Sequence, residues 1–345
     1  MRGEGSRSAG VHEQRPPVLV AIDVMSGDRE PSERLAGVAR ALEADAELSV
    51  LLVGLSADLE RARAAMPAQL AARVENVPAS QVIAMDEAPR AAIRRGRDSS
   101  MRVAVNLVKE GRAGACVSAG NTGALTAISH FVLKTIANVE RAAIMSAVPS
   151  AHGHTHMLDL GANTGASALQ LSQFASMGSI VARDVYGLES PRVGLLNIGE
   201  EDIKGHEIVQ AAHALLTAST LNYSGFVEGD DIFWGDVDVV VTDGFTGNVA
   251  LKTMEGLARL IAERTREEFQ ASLRDRLVGL LARPTLKRLA LGLDPRRYNG
   301  ACMVGLAGVV VKSHGRADAL AFARAVELAA HAVRGGMTAH IAQAF

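Results

Sequence analysis

The sequence predicts an α/β fold, three-layer α/β/α around a mostly parallel sheet, and three observations predict it. Short apolar runs alternate with helical stretches over most of the 345 residues. The runs are continuous rather than alternating in polarity, which marks strands covered by helices on both faces. The residues just after the runs share one composition, Gly with a small polar residue, an amide or an acid, as expected where strands end over a ligand.

The elements follow in order. Val18 to Asp23 is an apolar run ending on an acid and reads as the first strand. Pro31 to Ala44 reads as a helix with Leu35, Val38, Ala39 and Leu42 on one face. Leu48 to Val53 is a second strand stopped by Gly54, and Ser56 caps a helix that ends before Pro67. Ala115 to Ser118 then precedes a helix over Thr122 to Thr135, and His156 to Leu160 precedes one over Ala166 to Tyr186. Arg192 to Asn197 precedes Gly205 to Thr217, Val237 to Thr242 precedes Thr246 to Phe269, and Val304 to Lys312 precedes Arg316 to Val333. No repeat or Pro/Gly-rich linker divides the chain, so residues 18–345 read as a single α/β/α domain. The first 17 residues have no apolar period and read as a disordered tail without the apolar stretch of a signal peptide.

One segment breaks the rhythm. Over 270–298 apolar residues recur at helical spacing, among them Leu277, Leu280, Leu281, Leu286 and Leu289. Seven basic residues lie between Leu273 and Arg297, against Asp275 and Asp294 alone, and Pro284 is expected to start a second helix. A basic amphipathic helical pair suits a membrane-surface contact, a partner-binding tip or a buried dimer interface.

Bulk composition excludes several classes. A net charge of −2 and 3% aromatic residues leave neither the field nor the stacking platforms of a nucleic-acid binder. Two cysteines make no disulfide framework, and Cys116, inside an apolar run, reads as a core residue rather than a nucleophile. No run of about 18 apolar residues occurs.

Six loops carry the chemistry: Asp23–Asp28, Ser118–Gly123, Asp159–Asn163, Asn197–His206, Asp243–Asn248 and Lys312–Gly315. Glycine lets backbone N–H groups approach a ligand, and a following helix adds free N–H donors and partial positive charge, so these loops read as an anion-handling site. There is no P-loop, no Gly-x-Gly-x-x-Gly after a strand and no Gly-x-Ser-x-Gly elbow. His152-Gly-His-Thr-His156 has zinc-like spacing, but it begins a strand away from the six loops and is read as a surface loop. Lys204, Lys252 and Lys312 fall where an anion would sit; a solvated lysine is the plain alternative for each, and Lys204 and Lys312, beside His206 and His314, are the favoured pair.

These loops also carry a resemblance. Ser118-Ala-Gly-Asn-Thr-Gly-Ala124, Val193 to Gly205, Asp243 to Lys252 and Gly308 to Gly315 resemble the PlsX family of phosphate acyltransferases, as do Asp98-Ser-Ser-Met-Arg102 and Asp23 to Asp28. The resemblance runs from about Val18 to the C-terminus. It implies a phosphotransacetylase/isopropylmalate dehydrogenase-like fold. It implies transfer of a fatty acyl group from acyl carrier protein to phosphate, giving an acyl phosphate for phosphatidic acid synthesis, with no metal or nucleotide cofactor. It further implies a homodimer in the cytoplasm, peripherally attached to the inner face of the membrane, handing its product to a membrane-bound glycerol-3-phosphate acyltransferase. The chain departs from the family at Ser26, at Arg29, at Thr164-Gly165-Ala166 and at Asn299; the missing acid at Gly165 removes a general base from that loop.

Within that reaction the expected oxyanion donors are Asn121 and the N–H groups near Gly120 and Gly123. Lys204 and Lys312 would offset the phosphate charge, and His206 or His314 would protonate the leaving thiol, a structural histidine being the alternative for each. Asp23, Asp28, Ser118, Thr122, Asn163, Asp243, Asn248, Lys252 and Ser313 complete the expected substrate contacts. Arg94 to Arg97 with Arg102 form a basic cluster that either docks an acidic carrier or is an ordinary solvated face. The competing functions are an acyl-coenzyme A phosphotransacetylase, an oxidoreductase on the related fold, and a membrane-surface scaffold for lipid synthesis.

Overall fold

The computed structural model describes residues 16–151, 153–201, 203–234, 237–292 and 294–345. The tail expected over 1–17 lies outside them except for its last two residues, as does His152. The first part of the chain contains β1 (Val18–Asp23), α1 (Pro31–Ala44), β2 (Leu48–Gly54), α2 (Ser56–Ala65), α3 (Ala68–Ala71) and β3 (Val74–Pro78). It continues with α4 (Pro89–Arg95), α5 (Ser100–Lys109), β4 (Ala115–Ser118) and α6 (Thr122–Leu133). Next come β5 (Ala143–Ser150), β6 (Gly153–Leu158), α7 (Ala168–Asp184), β7 (Val193–Leu196), α8 (Glu207–Thr217) and β8 (Tyr223–Val227). The last part holds α9 (Asp231–Trp234), β9 (Val239–Val241), α10 (Gly244–Glu268), α11 (Leu273–Gly292), β10 (Ala301–Val304), β11 (Val309–Lys312), α12 (Ala319–Arg334) and α13 (Met337–Ala344).

The strands form one 11-stranded sheet in the order β3-β2-β1-β4-β11-β10-β5-β6-β9-β7-β8. Alternate strand residues pack to opposite faces. Val20, Ile22, Val117 and Val311 join a core with α7 and α12 on one face; Ala21, Cys116 and Val310 join a core with α5 and α6 on the other. The sheet is therefore the middle of three layers.

Most strand pairs are parallel, but β11–β10, β10–β5 and β5–β6 are antiparallel. The expected single strand Val304–Lys312 is thus two strands. Gly305, at φ +88°, makes the reversal, and a side chain there would press within 2.8 Å of Met177 Sδ. The three antiparallel pairs invert the second half of the sheet, so β6, β9, β7 and β8 run against β1, β2, β4 and β11. Carboxyl ends of the two sets face opposite edges. The six loops consequently divide into two groups of three rather than forming one ring.

Other differences are local. Ser56 is the first residue of α2 rather than its cap; Leu55 holds that position without a side-chain bond. Helix α11 continues through Pro284 instead of breaking there. It folds against α10 where Gly279 meets Phe269. Leu257, Leu260, Ile261, Leu273, Leu277 and Leu281 on this α10–α11 hairpin are each more than half exposed. Among the described residues no helix is long and apolar enough to cross a membrane.

Candidate active site

Strands β1, β4 and β11 lie side by side, and their register aligns Asp23, Ser118 and Lys312. Asp23 and Ser118 are fully buried. Ser118 Oγ donates to Asp23 Oδ2 at 2.6 Å and accepts the N–H of Gly120 at 3.1 Å. The other Asp23 oxygen accepts from the N–H groups of Met25 and Ser26. Ser118 and Gly120, expected to touch substrate, therefore spend their polar groups on the floor of the site. Ser313 is buried too: its N–H donates to the Ser118 carbonyl and its Oγ accepts from Asn299.

Above this floor stands Lys312, whose ammonium donates to the carbonyls of Ser313 and Ala119. Burial pushes its pKa down to about 8; Asp28 and Asp23 oppose that shift and Lys252 adds to it. His314 accepts the Arg316 N–H at Nδ1 (3.1 Å), so its neutral ring carries the proton on Nε2. Burial lowers its pKa, Glu255 opposes the shift, and Lys312 and Lys252 reinforce it. The neutral ring is therefore the favoured form, a hydrogen-bond donor at Nε2. Lys252 and Glu255, paired at 2.9 Å, reach this field from α10.

Helix α6 opens on the same floor. Asn121 caps it, Oδ1 accepting the Ala124 N–H at 2.9 Å, while Nδ2 donates to the carbonyls of Met85 and Glu87. That side chain, expected as an oxyanion donor, is fully engaged in holding the helix start. The N–H groups of Thr122 and Gly123 have no acceptor among the described residues, as the first turn of a helix leaves them. They are the donors that a ligand at this end would meet.

Two residues hold the loops and were not selected from the sequence. Arg34, 1% exposed on α1, donates to the carbonyls of Val24 (2.7 Å), Arg29 (3.0 Å) and Met25 (3.4 Å), pinning the Asp23–Asp28 loop. An arginine in a helix reads as solvated, and no sequence signal marks this one as buried. Asn299 donates to Ser313 Oγ and the Ala321 carbonyl and accepts the His314 N–H. Its only signal was that it departs from the family pattern.

The second group of loops sits at the opposite sheet edge. Asp159, fully buried, accepts the N–H groups of Ile144, Gly161, Ala162 and Asn163 and the side-chain amide of Asn163. Asp243 caps α10 by accepting the N–H groups of Phe245 and Thr246 at 3.0 Å. Gly244 and Gly247 pass so close to Asn163 and Asp159 that any side chain there would collide with them. Asn248 lies beside Gly161. From this seat α10 carries Lys252 toward Lys312.

Lys204 and His206 follow β7, at this second edge and one strand beyond β9. The Lys204 side chain is exposed, and the charges acting on Lys312 are Asp28, Lys252 and Asp23. The structure does not bring Lys204 and His206 to Lys312, because the strand inversion separates them. His154 and His156, with ring centroids 4.8 Å apart, start at the same edge as the Lys312 end but pack on the opposite sheet face, against Tyr186. Burial brings His156 down to about 3, keeping it neutral. Cys116 is buried, and desolvation raises its thiol pKa.

A cavity of about 340 Å³ connects the two groups of loops. It runs along α6 from Gly123 past Thr126 and Ala127 to His130, over Ile144 and Met303, and reaches Gly161–Asn163.

This fold is that of the phosphotransacetylases. The chain superposes on a phosphotransacetylase from Streptococcus pyogenes with a TM-score of 0.60, at 15% identity, covering 92% of this chain and 94% of the other. A phosphotransacetylase from Staphylococcus aureus gives the same score at 14% identity, covering 92% and 94%. The sequence narrows this further. The chain belongs to the family described as "Fatty acid synthesis protein", which matches residues 18–340. It is 51% identical over 326 residues to a phosphate acyltransferase of Alkalilimnicola ehrlichii, covering 94% of this chain and 95% of that one. It is 52% identical over 315 residues to a phosphate acyltransferase of Alcanivorax borkumensis, covering 91% and 93%.

Proposed function

We propose that this chain is a phosphate acyltransferase that moves a fatty acyl group from the thioester of acyl carrier protein to inorganic phosphate. The observation that carries the reading is the meeting of Lys312, Lys252 and neutral His314 with the unpaired N–H groups at the start of α6. Phosphate is held by the lysines. One of its oxygens attacks the thioester carbon, the Thr122 and Gly123 N–H groups bind the oxyanion, and the carbon–sulfur bond breaks. The thiol has a pKa near 8.5 and leaves as thiolate, which takes its proton from solvent; the neutral ring of His314 offers it a hydrogen bond from Nε2–H rather than the proton expected from the sequence.

Attack by phosphate itself is favoured over an acyl-enzyme. Ser118 Oγ is buried and bonded to an aspartate with no histidine as base, and Cys116 is buried with a raised pKa. Kinetics should therefore be sequential. Exchange of labelled carrier into acyl carrier protein without phosphate would indicate a covalent intermediate and overturn this route. The decisive assay is phosphate-dependent release of free thiol from acyl carrier protein, run beside acyl-coenzyme A. Preference for the coenzyme would move the assignment to a phosphotransacetylase, and absence of phosphate dependence would end it.

The partner assignments rest on surfaces. Arg94, Arg95 and Arg97 are exposed, and Arg102 lies 4.9 Å over the ring of Phe131, which supports docking of an acidic carrier. Such docking weakens with salt, so a salt-independent KM for the carrier would refute it. The exposed leucines of the α10–α11 hairpin support contact with a second copy of the chain and with the membrane surface where the downstream glycerol-3-phosphate acyltransferase resides. Sedimentation and vesicle flotation of the wild type and Leu277→Glu test those two contacts.

A further inference from the structure

We infer that the cavity beside α6 seats the acyl chain, and that Ala127, Met303 and Leu306 set how much of it is accepted. This rests on the phosphate acyltransferase reading and assigns that site its acyl subsite. The cavity begins at Gly123, one of the two N–H groups given to the oxyanion, so an acyl chain attached to that carbonyl enters it directly. Gly123, Thr126, Ala127 and His130 lie at i, i+3, i+4 and i+7 and form one continuous helix face along its wall. Seven residues of helix give a run of about 10 Å.

Chemistry changes along that run. The lining near Gly123 is Pro89, Thr126 and Ala127, and farther along it is Ile144, Met303 and Leu306; these last three are buried side chains of the second core layer, Ile144 and Met303 being paired across β5 and β10. Thr126 and His130 edge the α6 wall, and Arg141 and Asn163 lie at the far end. A largely apolar cavity that leads from the oxyanion donors to Arg141 fits a hydrocarbon tail and not the carrier's polar prosthetic arm, whose amides would be left unpaired against Ile144 and Met303. The tail's entry is fixed by the oxyanion donors and its end by the polar group. Side chains between them therefore act on chain length.

The test uses the full-length protein and acyl carrier proteins bearing short, medium and long saturated chains. Ala127 is half-buried on the wall and outside the catalytic groups, so Ala127→Phe fills the cavity without removing chemistry. The variant should keep short-chain kcat/KM within about twofold. It should lose about tenfold or more on long chains, as expected for displacing roughly two methylenes at about fourfold each. Leu306→Ala should shift the preference toward longer chains. An equal loss at every length, or no loss at the longest, overturns the inference. Binding of the fluorescent fatty acid cis-parinaric acid gives a readout independent of turnover: the wild type should bind it and Ala127→Phe should bind it at least about tenfold more weakly, by the same methylene count. Wild type that binds the probe but releases no thiol would sink the reaction and leave the cavity assignment standing. Wild type that turns over while both variants keep its length profile would sink the cavity assignment alone.

Discussion

Lys312 provides the sharpest handle on the chemistry. Burial takes its pKa from 10.5 to about 8, which corresponds to about 3 kcal/mol against the charged form at about 1.4 kcal/mol per unit. A bound phosphate supplies the missing counter-charge and should reverse much of that shift. In the free enzyme, kcat/KM for phosphate should therefore fall tenfold per pH unit above about 8, as the ammonium is lost. The limb in kcat, which reports the complex, should lie at higher pH. Lys312→Arg keeps its charge beyond about pH 12, so the limb in kcat/KM should vanish even if the absolute rate drops. Initial rates of thiol release against pH at saturating acyl donor measure all three. A flat wild-type profile between about pH 7 and about 10, or a limb that survives in Lys312→Arg, would refute the assignment of Lys312 to phosphate. Stability follows the same proton. The folded pKa lies below the unfolded one, so the unfolded chain binds more protons between about pH 8 and 10.5. The burial penalty is fully present below that window and is relieved as pH rises through it. Ligand-free protein should accordingly gain up to about 3 kcal/mol across it, read as the change in urea midpoint.

Three further outcomes are expected. Arg34→Met leaves three loop carbonyls without their donor and should cost about 3 kcal/mol in urea unfolding while raising the phosphate KM; unchanged stability would mean that the loop does not depend on the guanidinium. Asn121→Ala removes a helix cap, so it should cost about 1 kcal/mol and lower kcat less than about tenfold. A fall of the 10²–10³ size seen for oxyanion donors, with the melting temperature unchanged, would restore Asn121 to the chemistry. Lys204→Ala should leave the phosphate KM within about twofold, because the strand inversion places Lys204 at the other sheet edge; a tenfold rise (about 1.4 kcal/mol) would bring it back to the phosphate.

Lys204 and Lys312 show where sequence reasoning reached its limit. Each ends or follows an apolar run, each lies two residues from a histidine, and the two are locally equivalent. They differ only through the reversal at Gly305 and the β5–β6 hairpin, which turn one set of strands over. Those reversals were hidden because Val304–Lys312 reads as a single valine-rich run and β5 was not recognised. The alternation of strands and helices, the floor residues Asp23 and Ser118, and the loops themselves were legible, since local periodicity and glycine placement determine them. The jobs of individual side chains were not. Asn121, Asp243 and Ser118 carry the polar groups expected of substrate ligands, but capping and loop hydrogen bonds occupy them, and such competition is resolved only in three dimensions.

Helix α10 has a mechanical property beyond the residues it delivers. It is clamped where Gly244 and Gly247 press on Asn163 and Asp159, and it then runs unbroken for 25 residues into the leucine-bearing hairpin. At 1.5 Å per residue, Lys252 lies about 12 Å from that fulcrum and the hairpin bend about 36 Å from it. The helix is thus a lever of ratio about three: a 3 Å displacement at the bend moves the root of Lys252 by about 1 Å. Misplacement by 1 Å can change a rate a hundredfold. Whatever surface the hairpin rests on is therefore geared, at reduced stroke, to the spacing of Lys252 and Lys312, where phosphate is proposed to bind.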